Sequence, residues 1–160
     1  MSFKKVMCAA LATALVGAFA ASASASDKKM NINLGHVAIE TTPIGRGTEY
    51  FAQLVNEKTD GRITISVFPN SQLGGNREMI EQLQMGTLQF CSPSNAFLGG
   101  FTDKTALFDL PYLFTSEEGA FKVFDSEVGT AILDDLEGAG IKGLGWFAMG
   151  WRNVTCNKEV

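Results

Sequence analysis

The sequence predicts an α/β fold in which a mixed or parallel sheet is flanked by helices. The main observation is that strand-like and helix-like patterns alternate along the chain. Residues 63–68 show the clearest strand pattern, because β-branched side chains alternate with polar ones and Pro69 ends the run. The helical segments between strands have about ten residues or more, which suits crossover connections between parallel strands. With 46% apolar and 19% charged residues, the 160-residue chain is typical of a globular protein rather than a disordered or fibrous one.

The amino-terminal half contains three strand patterns separated by two helix patterns. The strand candidates alternate polar and apolar side chains, and the helix candidates place apolar side chains on one face, as Met79, Ile80 and Leu83 do. A glycine follows each helix pattern and marks its end. The expected elements are a strand at 31–37, a loop at 40–47, a helix from Thr48 to Gly61, a strand at 63–68, a loop at 69–75, a helix ending at Gly86 and a strand at 87–91.

The second half is predicted to contain two helices followed by strands. Residues 115–118 resemble a capping box, and Ser126 precedes a run with apolar residues at helical spacing. The expected elements are a loop-rich stretch at 92–100, an apolar segment at 108–114, helices after 115–118 and from Ser126 to Gly138, and strands at 141–149 and 152–156.

Residues 1–25 have the organisation of a secretory signal. Lys4 and Lys5 form a positive amino-terminal region, residues 6–21 are apolar or small, and the small side chains at 21–25 offer cleavage sites. The alternative is a membrane anchor, but an apolar run of about sixteen residues is shorter than the roughly twenty that span a bilayer. We therefore expect export, removal of this segment and a soluble, periplasmic product.

Charge and composition exclude several classes of function. The chain has 13 Lys and Arg against 17 Asp and Glu, so it lacks the basic surface that nucleic-acid binding requires. Its single His argues against most His-based metal sites and catalytic triads. Gly74 and Gly75 precede a helix and could hold a phosphate, but they lack the Lys and Ser or Thr of a P-loop. No cofactor is expected. These glycines are still expected to present backbone N–H groups to a smaller anion such as a carboxylate.

Two cysteines, Cys91 and Cys156, remain after removal of the signal segment. In an oxidising compartment they could form one disulfide. The alternative is that both are separate buried thiols, and their strand-like surroundings favour this second interpretation.

His36 and Arg152 are candidates for chemistry. His36 lacks an acidic or nucleophilic neighbour at a recognisable spacing, so a hydrogen-bonded structural role is favoured over a general base. Arg152 follows Trp151 and a long apolar segment, where a guanidinium could hold a carboxylate through two parallel hydrogen bonds. An exposed arginine at a strand edge explains the same pattern equally well. Ligands of open α/β sheets bind at the carboxyl ends of strands, so a site is expected in the loops that follow the strands.

Five sequence blocks occur in an order that resembles one transport family. They are 59–65 (TDGRITI), 68–75 (FPNSQLGG), 81–88 (EQLQMGTL), 108–114 (FDLPYLF) and 150–155 (GWRNVT). Each block alone has little specificity. Together, behind a secretory signal, they resemble the periplasmic substrate-binding subunit of TRAP transporters, the DctP-like solute-binding family, over residues 29–160.

The resemblance implies a periplasmic-binding-protein-like clamshell, of which this chain holds mainly the first lobe. Proteins of this family capture small carboxylates, such as C4-dicarboxylates or sugar acids, and deliver them to a membrane permease driven by an ion gradient. Arg152 corresponds to a ligand-contacting arginine of the family, and Asn76 and Ser94 correspond to positions that line the cleft. Sialic-acid-binding members tend to carry acids at the latter two positions, so neutral residues there favour another carboxylate. The resemblance implies neither a catalytic group nor a cofactor.

The resemblance also implies a division into domains. Residues 26–160 correspond to the amino-terminal part of the solute-binding domain, up to the first crossover strand. The second lobe and the family's main carboxylate-binding arginine are expected after Val160. The returning chain completes the first lobe in such clamshells, so exposed apolar sheet surface is expected here. Two other functions stay open: a clamshell binding protein that serves an ABC transporter or a sensor, and a periplasmic enzyme that uses His36.

Overall fold

The computed structural model of the chain describes residues 28–151 and 157–158. The signal segment predicted at 1–25 and the strand predicted at 152–156 lie outside these residues. Within the described ranges, no helix is both long and apolar enough to cross a membrane.

A sheet of three parallel strands forms the centre of the fold. β1 (Met30–His36) lies in the middle, β2 (Ile63–Phe68) pairs with one of its edges and β3 (Phe90–Ser92) with the other. In this register His36, the last residue of β1, lies opposite Ser92. The prediction of an α/β fold with a sheet flanked by helices is therefore confirmed, and the strand expected at 63–68 has the predicted bounds.

The first helix, α1 (Pro43–Lys58), begins earlier than the sequence pattern predicts. The prediction of a loop at 40–47 is wrong from Pro43 onward. The reason is a cap: the Thr42 hydroxyl accepts a hydrogen bond from the Gly45 N–H at 3.2 Å. Pro43 then supplies the fixed φ that suits the first helical position.

The two crossover helices cover opposite faces of the sheet. The cluster on the α1 face consists of Ile32, Leu34, Ala52 and Ile65. On the other face, α2 (Asn76–Gln84) buries the side chains of Met79 and Ile80 completely. Gly35 permits this close approach, because a Cβ there would lie 2.7 Å from the Met79 Sδ atom. One crossover helix on each face is the arrangement of a doubly wound sheet.

Short turns of 3₁₀ helix, Asn95–Gly100 and Asp103–Asp109, follow β3. The sequence predicts the third strand at 87–91, and the structure forms it slightly later along the chain. The buried Thr105 stabilises these turns, since its hydroxyl donates to the Thr102 carbonyl at 3.0 Å. In the stretch predicted to be loop-rich, 92–100, the Phe97 N–H donates to the Ser94 carbonyl at 3.0 Å and the Asn95 amide donates to the Thr105 carbonyl at 2.8 Å.

Two short helices, α3 (Glu117–Phe124) and α4 (Glu127–Asp135), begin where the sequence predicts them. The hydroxyl oxygens of Ser116 and Ser126 each accept a hydrogen bond from a backbone N–H in the turn that follows. A further 3₁₀ turn ends at Gly140, whose φ of 76° lies in the left-handed region that favours glycine.

Residues 141–149, which the sequence predicts to form a strand, have no regular secondary structure, so that prediction is wrong. This segment has no strand beside it in the described sheet, and a strand needs a neighbour to satisfy its backbone hydrogen bonds. Trp146 packs instead into an aromatic cluster, and its indole N–H donates to the Gly129 carbonyl at 3.2 Å. The members of the cluster are Phe108, Phe114, Phe124 and Trp146.

Several large apolar side chains at 110–112 and 144–151 are at least half exposed. They are Leu110, Tyr112, Leu144, Phe147, Met149 and Trp151. The resemblance predicts exposed apolar sheet surface, whereas these side chains lie outside the strands. Tyr112 is 97% exposed and has a φ of 60°, a conformation that a bulky residue seldom adopts.

Candidate functional site

The carboxyl ends of β1, β2 and β3 lie at the same edge of the sheet because all three strands are parallel. The chain leaves β1 toward α1 on one face and leaves β2 toward α2 on the other. This reversal around the central strand is the type of position at which doubly wound sheets bind ligands. The site is therefore sought among the segments that follow the strands.

Asn76 and Ser94, which the resemblance assigns to the cleft, are in direct contact at this edge. Asn76 is the first residue of α2, and Ser94 lies just after β3. The Ser94 backbone N–H donates a hydrogen bond to the Asn76 Oδ1 atom at 3.0 Å. This bond orients the amide, so its Nδ2 group is left as a donor for another partner. Both residues are half-buried, so both remain accessible.

The backbone N–H of Gly75 is already occupied, contrary to the prediction of an anion site at Gly74 and Gly75. It donates to the Glu78 carboxylate at 2.8 Å, and the Gly74 N–H donates to the Ser71 carbonyl at 3.0 Å. Glu78 thus caps its own helix, and its negative charge disfavours a second carboxylate at this point. Glu78 lies three residues after Gly75, which is the spacing of a helix-capping pair, so the capping role of Glu78 could be predicted from the sequence.

Arg152 lies outside the described residues, so its assignment stays a prediction. The preceding residue, Trp151, is described and is 57% exposed. Gly150, one residue earlier, has a φ of 86°, in the left-handed region that favours glycine. Asn76 and Ser94 are therefore the two predicted site residues that the structure brings together.

His36 is buried beside α1 rather than open to the site. The ring is 1% exposed, and neither ring nitrogen has a hydrogen-bond partner among the described residues. The structural role predicted for His36 agrees with this burial, but the predicted hydrogen bond is not formed. Burial lowers the pKa of His36 below its ordinary value, and the carboxylates of Glu49 and Glu40 partly oppose this effect.

Cys91 is half-buried in β3 and has no disulfide partner among the described residues. Burial raises the pKa of this thiol to about 12, so it is neutral at physiological pH. Cys156 lies outside the described residues, so the choice between a disulfide and two separate thiols stays a prediction. In the described part of the chain, no three His, Cys, Asp or Glu side chains are grouped closely enough to hold a metal ion.

Residues 34–160 match the family described as bacterial extracellular solute-binding protein, family 7, also named DctP. The chain belongs to this family. The match covers α1, α2 and the whole of the candidate site, and it agrees with the resemblance carried by the five sequence blocks.

Among curated relatives, the C4-dicarboxylate-binding protein DctB of Bacillus subtilis strain 168 is 41% identical over 123 residues. The alignment covers 77% of this chain and 35% of the relative. The chain thus spans about a third of that protein's length.

Solved structures of TRAP periplasmic solute-binding proteins share this fold. One from Sulfurospirillum deleyianum, with bound succinate, is 35% identical with a TM-score of 0.66, over 71% of this chain and 36% of that one. The sugar-acid-binding protein DctPAm of Advenella mimigardefordensis, in complex with galactonate, is 30% identical with a TM-score of 0.71. That match covers 74% of this chain and 38% of the Advenella protein.

Proposed function

We propose that the chain is the amino-terminal part of a periplasmic protein that captures a small organic acid. The acid is a C4-dicarboxylate or a sugar acid, and the protein delivers it to a TRAP permease driven by an ion gradient. In this proposal residues 1–25 direct export and are removed, and residues 26–160 form the first part of the solute-binding domain. The protein binds and releases its ligand unchanged, as a transport subunit and not as an enzyme.

The contact between Asn76 and Ser94 is the observation that carries the proposal. The bond at 3.0 Å uses the amide oxygen and leaves the Asn76 Nδ2 group as a donor, and the Ser94 side chain contributes a hydroxyl donor. A carboxylate accepts hydrogen bonds and donates none, so two donors at the edge of the sheet suit it. Membership of family 7 supports the same ligand class, because its relatives carry succinate and galactonate.

Arg152 supplies the charged contact in this proposal. A guanidinium forms charge-assisted, paired hydrogen bonds with a carboxylate, and these are about twice as strong as neutral ones. The Glu78 carboxylate occupies the Gly75 N–H on the α2 side. We therefore assign the ligand carboxylate to the side of the site nearer Ser94, away from that negative charge.

Calorimetric titration of the exported protein with succinate and with galactonate tests the proposal. We expect Arg152→Ala to weaken binding of the preferred acid about a hundredfold, as truncation of one partner of a charged pair does. Asn76→Asp keeps an oxygen for the Ser94 N–H but replaces the amide donor with a negative charge. It is expected to weaken binding at least about tenfold. Arg62→Ala is the matched control, because it removes an exposed positive charge at the opposite edge of the sheet.

The control defines the outcome that contradicts the proposal. If Arg152→Ala and Arg62→Ala bind the acid equally well, Arg152 is not a ligand contact. If neither acid binds the exported protein, the ligand class is wrong. Delivery to the permease is measured separately, as uptake of the bound acid by cells with and without the permease genes.

A further inference from the structure

His36 is the last residue of β1, and its side chain is buried without a hydrogen-bond partner among the described residues. It follows Ile32 and Leu34 on the same face of β1, and those two residues pack against α1. The ring is 1% exposed, and both of its nitrogens lack a hydrogen-bond partner among residues 28–151 and 157–158. A neutral ring tolerates such a position far better than a charged one, because a buried charge without a partner is costly.

The backbone around His36 holds the turn that follows β2. The Ser71 N–H donates to the His36 carbonyl at 3.1 Å, and the Asn70 N–H donates to the Ala38 carbonyl at 3.0 Å. Asn70 and Ser71 have φ values of 54° and 60°, in the left-handed region that costs energy for residues other than glycine. These two hydrogen bonds therefore help to hold the turn in an unfavourable conformation.

The same turn leads directly into the candidate site. The Ser71 carbonyl accepts a hydrogen bond from the Gly74 N–H at 3.0 Å, and Gly75 precedes Asn76 at the start of α2. A change at Asn70 and Ser71 is thus separated from Asn76 by a few residues of hydrogen-bonded turn.

Arg46, an exposed cation on α1, lines one groove with Glu40 and Glu49. The charged groups that act on the ring are the carboxylates of Glu49, on α1, and Glu40, in the segment between β1 and α1. Both side chains are exposed, so a protonated ring could reach them only if this segment moved. Strands β2 and β3 and residues 69–75 contain no charged side chain, and their one titratable group, Cys91, packs on the α2 face with Ile80. The Ala38 backbone also favours a protonated ring, and its carbonyl is the group that now binds Asn70.

We propose that His36 is a pH-controlled latch for the Asn70–Ser71 turn. While the ring is neutral it stays buried, and the carbonyls of His36 and Ala38 keep their hydrogen bonds with the N–H groups of Ser71 and Asn70. Protonation gives the ring a second N–H donor and a charge, which draw it toward the Ala38 carbonyl, Glu40 and Glu49. The hydrogen bonds to Asn70 and Ser71 are then lost, the turn relaxes and Asn76 shifts. The consequence, release of an acidic ligand at low pH, rests on the proposed function.

Nuclear magnetic resonance of the exported protein without ligand tests the latch directly. The His36 ring nitrogens and the backbone amides are followed from pH 8 to pH 5. We expect the amides of Asn70 and Ser71 to shift with the same midpoint as the ring. Their hydrogen-exchange protection, corrected for intrinsic rates, should fall about tenfold per pH unit as that midpoint is approached from above. Asp60 is the control amide, because it also has a positive φ, 51°, but donates to Glu57, far from His36.

Charge variants separate the latch from general acid effects. Glu49→Gln removes a carboxylate that favours the protonated ring, so it should move the ring and both amides to a lower midpoint together. Glu57→Gln, on the same helix, should leave all three midpoints unchanged. These variants keep the buried histidine and its packing, so their effect does not depend on a change in the core.

Three results would overturn the latch. The two amides could remain unchanged while the ring titrates, they could shift together with Asp60, or the protein could unfold before the ring titrates. Failure of the proposed function looks different: neither succinate nor galactonate binds at any pH, while Asn70 and Ser71 still follow the ring. If the function holds, Glu49→Gln should move the pH midpoint of ligand affinity with that of the ring.

Discussion

Cys91 illustrates how one side chain takes its chemistry from its surroundings. It lies on the α2 face of the sheet, in a cluster with Ile80, Leu98 and Leu136. This apolar contact disfavours the thiolate and raises the pKa of the thiol to about 12. Because the thiolate is the reactive form, a thiol in this position is protected from alkylation and from disulfide exchange.

We expect Cys91 to react with a thiol reagent at pH 8 only when the protein unfolds. The measurement is the rate of labelling by a chromogenic disulfide in a Cys156→Ser background, so that Cys91 is the thiol observed. Labelling should be at least about a hundredfold slower in the folded protein than in denaturant. A pKa of about 12 leaves about 0.01% thiolate at pH 8, whereas an ordinary thiol with a pKa of about 8.5 has about a quarter. Equal rates in both conditions would show that the thiol is open to solvent.

At the scale of the element, the start of α1 depends on one hydroxyl group. The Thr42 hydroxyl accepts from the Gly45 N–H at 3.2 Å and donates to the Ile39 carbonyl at 2.6 Å. The cap joins the first turn of the helix to the segment that leaves β1. The apolar spacing that predicts this helix begins only at its second turn, so the cap and Pro43 decide the earlier start.

Thr42→Ala is expected to lower the free energy of unfolding by about 1 kcal/mol, the usual cost of losing such a cap. The neighbouring Thr41→Ala is the matched control, because no hydrogen bond of the Thr41 side chain is found among the described residues. Urea titrations of both variants give the difference. Equal stability of the two would mean that Pro43 alone sets the start of the helix.

The elements that the sequence predicts well are those whose signals are local. β2 has alternating β-branched residues closed by Pro69, and α3 and α4 each begin after a capping serine. Residues 141–149 have an equally apolar pattern, yet a strand depends on a partner strand elsewhere in the chain. The sequence of residues 141–149 alone does not show whether a partner strand is present.

The candidate site shows the same limit. Asn76 and Ser94 are predicted from resemblance alone, because eighteen positions of sequence separate them. Their contact follows from the strand order, in which β3 lies beside β1 on the side away from β2. The helix α2 connects β2 to β3 across one face of the sheet. The role of Glu78 has a local signal, the capping spacing, and could be predicted from sequence. Contacts that depend on the order of strands in the sheet, such as that between Asn76 and Ser94, could not be predicted from local sequence patterns.

At the scale of the whole molecule, apolar surface is concentrated in one part of the described chain. A groove of about 620 Å³ is lined mainly by the apolar side chains of Leu107, Leu110, Val128 and Ile132. Exposed apolar side chains also follow in residues 144–151. Patches of this kind commonly mark contact with further protein. The matched relatives are more than twice as long as the segment they share with this chain, which agrees with such a surface.

The stability of the whole molecule should depend on pH through His36. Burial lowers the pKa of His36 in the folded state below its ordinary value of 6.5. The unfolded chain therefore binds more protons than the folded one between these two pKa values, and the free energy of unfolding falls as pH falls from 6.5. The loss approaches about 1.4 kcal/mol per pH unit within that window, the value for one proton.

Urea titrations between pH 8 and pH 4 measure this dependence, with His36→Gln as the comparison. The variant should lose stability at every pH, because it alters a buried side chain, but its stability should change little between pH 6.5 and pH 5. Asp135 affects stability in a separate pH range. Hydrogen bonds from Lys104 and Thr102 lower the pKa of its carboxyl group, so its contribution to the free energy of unfolding is lost only below about pH 4. A wild-type protein with constant stability between pH 6.5 and pH 5 would show that the His36 ring is not held neutral by burial.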